Sequence, residues 1–254
     1  MRLEGKCAIV TGSAGSIGSA IATRLAEEGC AVALIDRGPS TGTAQEIGRL
    51  GRPAFDHPAD VADSRALLQA FDAAVRDLGG LDILVTAAGV TSFGPAATLA
   101  EAEWDRVVAI NLKGVFLSCQ AAIAHLKRRG GGRIVNIGSV LAKNGGNARP
   151  WIDEAEQSRA SNVAYGASKA GVHTMTLYLA KELAAHGITV NAVAPGPVAS
   201  AMTAEFPAAL RALIPAGRLG TNGEVAAAVS YLVGDEAGFV TGEILDLNGG
   251  LWVD

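Results

Sequence analysis

The chain has 254 residues, 49% of them hydrophobic and 18% charged, with a formal net charge of -4. That composition excludes a disordered chain, and the acidic balance argues against a protein that holds nucleic acid through phosphate charge. A chain of this length buries about three quarters of its unfolded surface and needs no disulfide or metal staple. The three cysteines, Cys7, Cys30 and Cys119, sit in apolar segments without a CxxC or Cys/His cluster. They read as small buried hydrophobes in a reducing compartment, and no metal site is expected. The run Lys6–Val10 already reads as a strand, which leaves no room for a signal peptide. No apolar run reaches the ~18 residues of a membrane helix. A cytoplasmic protein is expected.

Short β-rich runs alternate with helical patterns along the chain. Strands are predicted at Cys7–Val10, Val32–Ile35, Ile83–Thr86, Arg133–Ile137, Thr189–Val193 and Ile244–Leu247. Helices are predicted at Ser19–Glu28, Ser64–Leu78, Glu103–Arg129, Tyr165–His186 and Gly223–Leu232. This alternation implies an α/β fold, a doubly wound parallel sheet with helices on both faces. The strands are apolar throughout, as strands buried on both faces must be. No linker or repeat is visible, so residues 1–254 are expected to form a single domain.

The first strand runs into Thr11-Gly12-Ser13-Ala14-Gly15-Ser16-Ile17-Gly18 and then a helix. Glycines there let backbone approach a pyrophosphate, and the helix start offers free N–H groups and a partial positive charge. Asp36 ends the second strand, 18 residues past Gly18. That is the place for an acidic residue on the adenosine ribose of a dinucleotide. A carboxylate repels a 2′-phosphate, which favours NAD over NADP. Arg37 beside it pulls the other way, so the strictness of the preference stays open.

Two further features mark a reaction site. Tyr165 and Lys169 are i and i+4 on one helical face. Ser139 lies just beyond the strand Arg133–Ile137, at the carboxyl end where open α/β sheets bind ligands. Asn111, with Gly114 close behind, is poor helix chemistry and predicts a local irregularity in Glu103–Arg129.

Taken in order, Thr11-Gly12…Ile17-Gly18, Asp60-Val61, Ala87-Ala88-Gly89, Asn111, Ser139, Tyr165…Lys169, Asn191, Pro195-Gly196 and Asp246–Gly250 resemble the short-chain dehydrogenase/reductase family over essentially the whole chain. The resemblance implies that Tyr165 is the general acid/base. Lys169 would bond the nicotinamide ribose and depress the Tyr165 pKa. Ser139 would hydrogen-bond the reacting oxygen, and Asn111 would hold a water linking Lys169 to solvent. Cofactor contacts would come from Gly12, Gly15, Ser16, Ile17, Gly18, Asp36, Arg37, Asp60, Val61, Ala88, Gly89, Tyr165, Lys169, Pro195, Gly196, Val198 and Ser200. The implied activity is NAD-dependent interconversion of a secondary alcohol and its ketone. The alternative is an NADPH-dependent reductase of 3-oxoacyl thioesters on a carrier protein, which the basic cluster Lys127-Arg128-Arg129 would suit. That cluster equally suits the negative end of a helix. A non-catalytic NAD-sensing protein on the same fold would be expected to lack Tyr165 or Lys169. The partners implied are a small alcohol or ketone and further copies of the chain in a homotetramer, with no nucleic acid and no membrane.

Three departures from the family pattern stand out. Ser16 replaces the middle glycine of the turn, with Gly15 before it. Thr86-Ala87-Ala88-Gly89 lacks the family's bracing asparagine, so some local slackness is expected. Ser139 and Tyr165 are 26 residues apart, about twice the family's usual gap. The excess, about 144–162, is expected to form either a wall of the substrate pocket or a solvated or subunit-packing loop. Trp151 would offer an apolar face, and Arg149 or Arg159 a grip on an anion. His57, His125, His173 and His186 show no partner pattern and read as structural or surface residues. A flap is expected over about 199–218, with Met202, Phe206, Leu210, Leu213 and Ile214 as its apolar residues.

Overall fold

The computed structural model describes residues 1–146, 158, 160–200, 206 and 208–253. Seven strands form one parallel sheet: β1 (Cys7–Thr11), β2 (Ala31–Ile35), β3 (Ala54–Asp56), β4 (Ile83–Thr86), β5 (Gly132–Ile137), β6 (Ile188–Pro195) and β7 (Ile244–Leu247). Their spatial order is β3-β2-β1-β4-β5-β6-β7. The order reverses direction between β1 and β4, and such a switch point opens a crevice at the carboxyl ends of the strands.

Side-chain alternation along each strand feeds two separate cores. Ala8 and Val10 of β1, Val32 and Leu34 of β2, and Ile83 and Val85 of β4 face one side. There they meet Ile21 and Leu25 of α1 (Ser16–Glu27) and Val225, Val229 and Leu232 of a helix at Asn222–Val233. Ile9, Ala33, Ile35 and Leu84 face the other side. They pack on Leu67 and Phe71 of α3 (Ser64–Leu78), Val115, Cys119, Ala122 and Leu126 of α5 (Gly114–Arg129), and Val172, Leu179 and Leu183 of α6 (Val163–Leu183). Apolar runs that alternate between two buried faces leave a strand no polar positions, which explains their composition.

All six predicted strands and five predicted helices are present with small shifts at their ends. Among the described residues, β3 and the helix that follows β2 are elements that were not foreseen. β3 is three partly buried residues at the sheet edge between Pro53 and Pro58, too short to show a period. The helix α2 (Thr41–Arg49) carries two glycines and buries only Thr43 and Ile47, so its helical stripe is one turn long.

The predicted helix Glu103–Arg129 is α4 (Glu101–Val108) and α5 joined through a π turn at Ala109–Lys113. That turn is the irregularity expected at Asn111. Although no unbroken apolar run is long enough for a membrane span, the continuous helix Glu101–Arg129 meets the length and composition of one, its most apolar 18-residue stretch having a mean hydropathy of 1.6. Scattered polar residues hid this from a search for unbroken apolar runs, and Val115, Cys119, Ala122 and Leu126 spend their apolar character on the sheet. All three cysteines are free and buried, and burial pushes the Cys30 and Cys119 thiols up to about 12.

Candidate active site

The turn after β1 brings backbone against backbone. Gly12 has φ +72°, and a Cβ there would lie 2.4 Å from the Ala88 nitrogen. A Cβ on Gly18 would lie 2.1 Å from the Gly12 carbonyl oxygen. Gly15 is the extended N-cap of α1, and no side chain among the described residues caps that helix. The N–H groups of Ser16, Ile17 and Gly18 therefore open toward the crevice, a ready site for phosphate oxygens. Ser16 in the middle position leaves this geometry intact.

Asp36, at the end of β2, accepts hydrogen bonds from the Ala14 N–H at 3.0 Å and the Arg37 N–H at 2.7 Å. Its carboxylate is thus fixed beside the glycine turn, while Arg37 is exposed. Asp60 turns its carboxylate onto the Ala62 N–H at 2.8 Å, and Val61 is buried against Gly114. Ala88 and Gly89 line the exit of β4. On the far side, Val140 N–H bonds Pro195 O at 2.9 Å and Gly196 N–H bonds Leu247 O at 2.9 Å. Val198 then bridges to Gly220, and Ser200 follows at the edge of the described segment.

Tyr165, Lys169 and Ser139 meet at the carboxyl end of β5. The Tyr165 hydroxyl and the Ser139 side chain are hydrogen-bonded. Lys169 is buried and its ammonium donates to Ile137 O at 2.7 Å. Burial pushes Lys169 down to about 8, so it stays mostly charged at neutral pH. Burial raises the Tyr165 phenol above its ordinary value, and the Ser139 hydrogen bond only partly opposes this. In the chain by itself, no lowering by Lys169 opposes that rise. Its ammonium is turned to the Ile137 carbonyl, and desolvation of the phenolate dominates.

Asn111 is fully buried in the π turn. Its Oδ1 accepts the Val90 N–H at 2.8 Å, and its Nδ2 donates to Val90 O at 2.9 Å and Ser168 Oγ at 3.2 Å. A Cβ on Gly89 would lie 3.4 Å from Asn111 Oδ1 and 3.6 Å from Lys169 Nζ. These two groups therefore converge beside Gly89. The π turn supplies the extra residue that swings Asn111 inward, a common use of such turns at functional sites.

The bracing amide missing from Thr86–Gly89 comes from β5 instead. Asn136 Oδ1 accepts from Thr86 Oγ1 at 2.8 Å, and Asn136 Nδ2 donates to Thr176 Oγ1 at 2.9 Å. The register Thr86↔Asn136 puts a buried amide beside the β4 exit.

Two residues near the site were given no role there from sequence. Asn162 caps α6 by accepting from the Ala164 and Tyr165 N–H groups, and its Nδ2 bonds Ser92 Oγ at 2.7 Å. Ser92 in turn bonds Glu103, whose carboxylate is held near 2 chiefly by Arg106. An Asn three residues before Tyr165 is an N-cap signal readable from sequence. His173, read as structural or surface, is buried one turn beyond Lys169 and touches Gly138 and Ser139.

The return limb of the long Ser139–Tyr165 connection is stitched to the loop after β4. Gly94 N–H bonds Ala160 O at 3.0 Å, and Asn162 N–H bonds Ser92 O at 3.1 Å. Arg149, Trp151 and Arg159 lie outside the described residues, as does Met202 of the expected flap. Phe206, Leu210, Leu213 and Ile214 are described, and only Ile214 among them is buried, against Gly249.

Comparison with known proteins follows the same lines. Residues 12–252 match the family model described as Enoyl-(Acyl carrier protein) reductase. The chain belongs to the short-chain dehydrogenase/reductase family. It is 37% identical to a 3-oxoacyl-(acyl-carrier-protein) reductase of Vibrio cholerae over the full length of both chains. It is 39% identical to 3beta-hydroxysteroid dehydrogenase 1 of Eggerthella lenta, covering 98% of this chain and 94% of that one. A short-chain dehydrogenase/reductase structure from Serratia marcescens superimposes with a TM-score of 0.90 at 38% identity, covering 99% of each chain. As a member of this short-chain dehydrogenase/reductase family, the chain is an oxidoreductase of CH–OH groups that uses a nicotinamide cofactor. The close backbone cradle at Gly12, Gly18 and Ala88 fits such a dinucleotide.

Proposed function

We propose that this short-chain dehydrogenase/reductase is an NAD-dependent dehydrogenase interconverting a secondary alcohol and its ketone, within a single domain. The observation that carries the reading is the Tyr165–Ser139 hydrogen bond beside the buried Lys169 ammonium. The nicotinamide, when bound, accepts or donates the hydride. Ser139 Oγ holds the reacting oxygen, and Tyr165 exchanges its proton with that oxygen. Lowering a phenol from about 10 to about 8 requires about 2.7 kcal/mol. A cation about 4 Å away at an effective dielectric of 20 contributes about 4 kcal/mol before desolvation. That attraction would favour Tyr165 as a base only if the Lys169 ammonium turned from the Ile137 carbonyl toward the phenol, against the desolvation that raises it. The approach of Asn111 Oδ1 and Lys169 Nζ beside Gly89 supports a proton path out from Lys169.

The fixed carboxylate of Asp36 supports NAD over NADP. It faces the ribose side of the turn and repels a 2′-phosphate, while the exposed Arg37 is free to swing away. The similarity to 3-oxoacyl-(acyl-carrier-protein) reductases supports a second reading, an NADPH-linked thioester reductase. In that reading Lys127 and Arg128 would face an acidic carrier, since Arg129 is already paired with Asp82 at 3.0 Å. Exposed Phe116, Leu177 and Tyr178 on α5 and α6 support a homotetramer, and the three free cysteines a cytoplasmic location.

The test is nicotinamide absorbance with NAD or NADP across polyols, sugar acids, cyclic, steroidal and aromatic alcohols, and 3-hydroxyacyl thioesters. NAD-linked turnover that falls at least ~10²-fold in Tyr165→Phe, with cofactor binding retained, supports the dehydrogenase reading. Activity only with NADPH on a thioester promotes the second reading.

A further inference from the structure

The end of β5 has a backbone donor that no strand receives. Gly138 N–H bonds Val193 O at 2.8 Å and Val140 N–H bonds Pro195 O at 2.9 Å, both on β6. The N–H between them, on Ser139, points to the opposite side. There β4 has ended, since its last pairing with β5 is Thr86↔Asn136. His173 takes the place of the missing strand, and its Nε2 accepts the Ser139 N–H at 3.4 Å.

The ring is pressed onto the same segment. A Cβ on Gly138 would lie 2.1 Å from His173 Nε2 and 2.6 Å from its Cδ2. Tyr165, Lys169 and His173 follow at i, i+4 and i+8 on one face of α6. Each grips Ile137–Ser139 in turn: Tyr165 through Ser139 Oγ, Lys169 through Ile137 O, and His173 through the Ser139 N–H.

We propose that His173 is a positioning residue for the reaction. Its neutral imidazole, protonated at Nδ1, receives the Ser139 N–H and so aims Ser139 Oγ at the Tyr165 hydroxyl. The proposal rests on the role assigned above to Ser139. An imidazolium would set an N–H against the Ser139 N–H and break the contact. The charged groups facing the ring keep it neutral. Lys169 lies one turn back on α6. Lys143 lies on the turn after β5, with its ammonium held by Asp246 of β7 at 2.8 Å. Burial first, and then these two cations, push His173 down to about 4.

The test compares His173→Gln with His173→Leu. Gln offers an acceptor oxygen at similar reach, whereas Leu fills the space without one. Leu is expected to lower kcat roughly 10²-fold, as a misplaced catalytic group does. Fluorescence titration with NADH should leave its Kd within about twofold, because no cofactor contact is removed. Gln is expected to recover kcat to within about tenfold of the native chain. Equal activity of the two variants overturns the proposal. Nitrogen NMR of the native imidazole is the independent arm, and does not depend on either variant folding. It should show the Nδ1–H tautomer from about pH 8 to about pH 5. An Nε2–H tautomer, or protonation near the ordinary value of about 6.5, overturns the proposal. A native chain without nicotinamide-linked turnover would defeat the functional reading, while the NMR arm would still judge His173.

Discussion

Asn136 offers the most direct test of how the site is braced. It is fully buried on β5, between Thr86 of β4 and Thr176 of α6. Asn136→Ala strands the Thr86 hydroxyl, whose acceptor was Asn136 Oδ1 at 2.8 Å. An unpaired buried hydroxyl costs about 1–3 kcal/mol. Thr176 keeps its own donation to Val172 O at 2.9 Å and loses only the bond it accepted, worth about 1 kcal/mol. The small void adds a further ~1 kcal/mol. Together these predict a loss of about 3–5 kcal/mol, a large share of a typical stability of about 5–15 kcal/mol. Thr86→Val should cost about 1–2 kcal/mol, because Asn136 Oδ1 loses its strong donor and keeps only the weak Cys119 thiol at 3.6 Å. In the double variant both partners of the Thr86 bond are gone, so the effects should fall short of additive by about 1–2 kcal/mol. Urea unfolding followed by circular dichroism measures all three. A loss below about 1 kcal/mol for Asn136→Ala, or additive effects in the cycle, would refute the brace.

Other perturbations give equally definite outcomes. Gly18→Ala places a methyl 2.1 Å from the Gly12 carbonyl oxygen, which is backbone and cannot rotate away. It should destabilise by about 1–3 kcal/mol and weaken NADH binding, read by nicotinamide fluorescence; native-like values of both would contradict the close approach. For pH, burial pushes the folded His173 down to about 4, below the ordinary imidazole value of about 6.5. The unfolded chain therefore binds a proton that the folded chain refuses, and stability is lost as pH falls from 6.5 toward 4. The loss approaches about 3 kcal/mol in the native chain and is absent in His173→Gln, so their difference in unfolding free energy should shrink across that window. A pH-independent difference would place His173 in solvent. Thr221→Ala removes a capping box in which Thr221 Oγ1 accepts the Glu224 N–H at 3.1 Å and Glu224 accepts the Thr221 N–H at 2.8 Å. About 1 kcal/mol should be lost, measured as a shift in the urea midpoint, and no shift would contradict the cap.

Much of this protein is legible without coordinates because its signals are local. Apolar runs bounded by turns mark six of the seven strands, since each needs only its own residues to be recognised. The glycine turn, Asp36, Ser139 and the Tyr165–Lys169 spacing are equally local, and each is a short motif whose chemistry depends on residue type and neighbourhood. The misfit of Asn111 and Gly114 in a helix even marks the π turn. What sequence alone left out is whatever depends on which elements lie side by side. β3 and α2 are too short and too weakly patterned to declare themselves, and packing holds them. Asn136 replaces the absent amide of the β4 exit only because Thr86 and Asn136 share a register. The Lys169 ammonium turns to the Ile137 carbonyl rather than to Tyr165 because α6 lies across the end of β5. His173 looks idle in the sequence, yet it receives the Ser139 N–H because β4 stops before that position and leaves a donor that only α6 can reach. Hydrogen-bond satisfaction of buried groups is a property of the assembled fold. Spacing along one chain cannot say which strand will run out first.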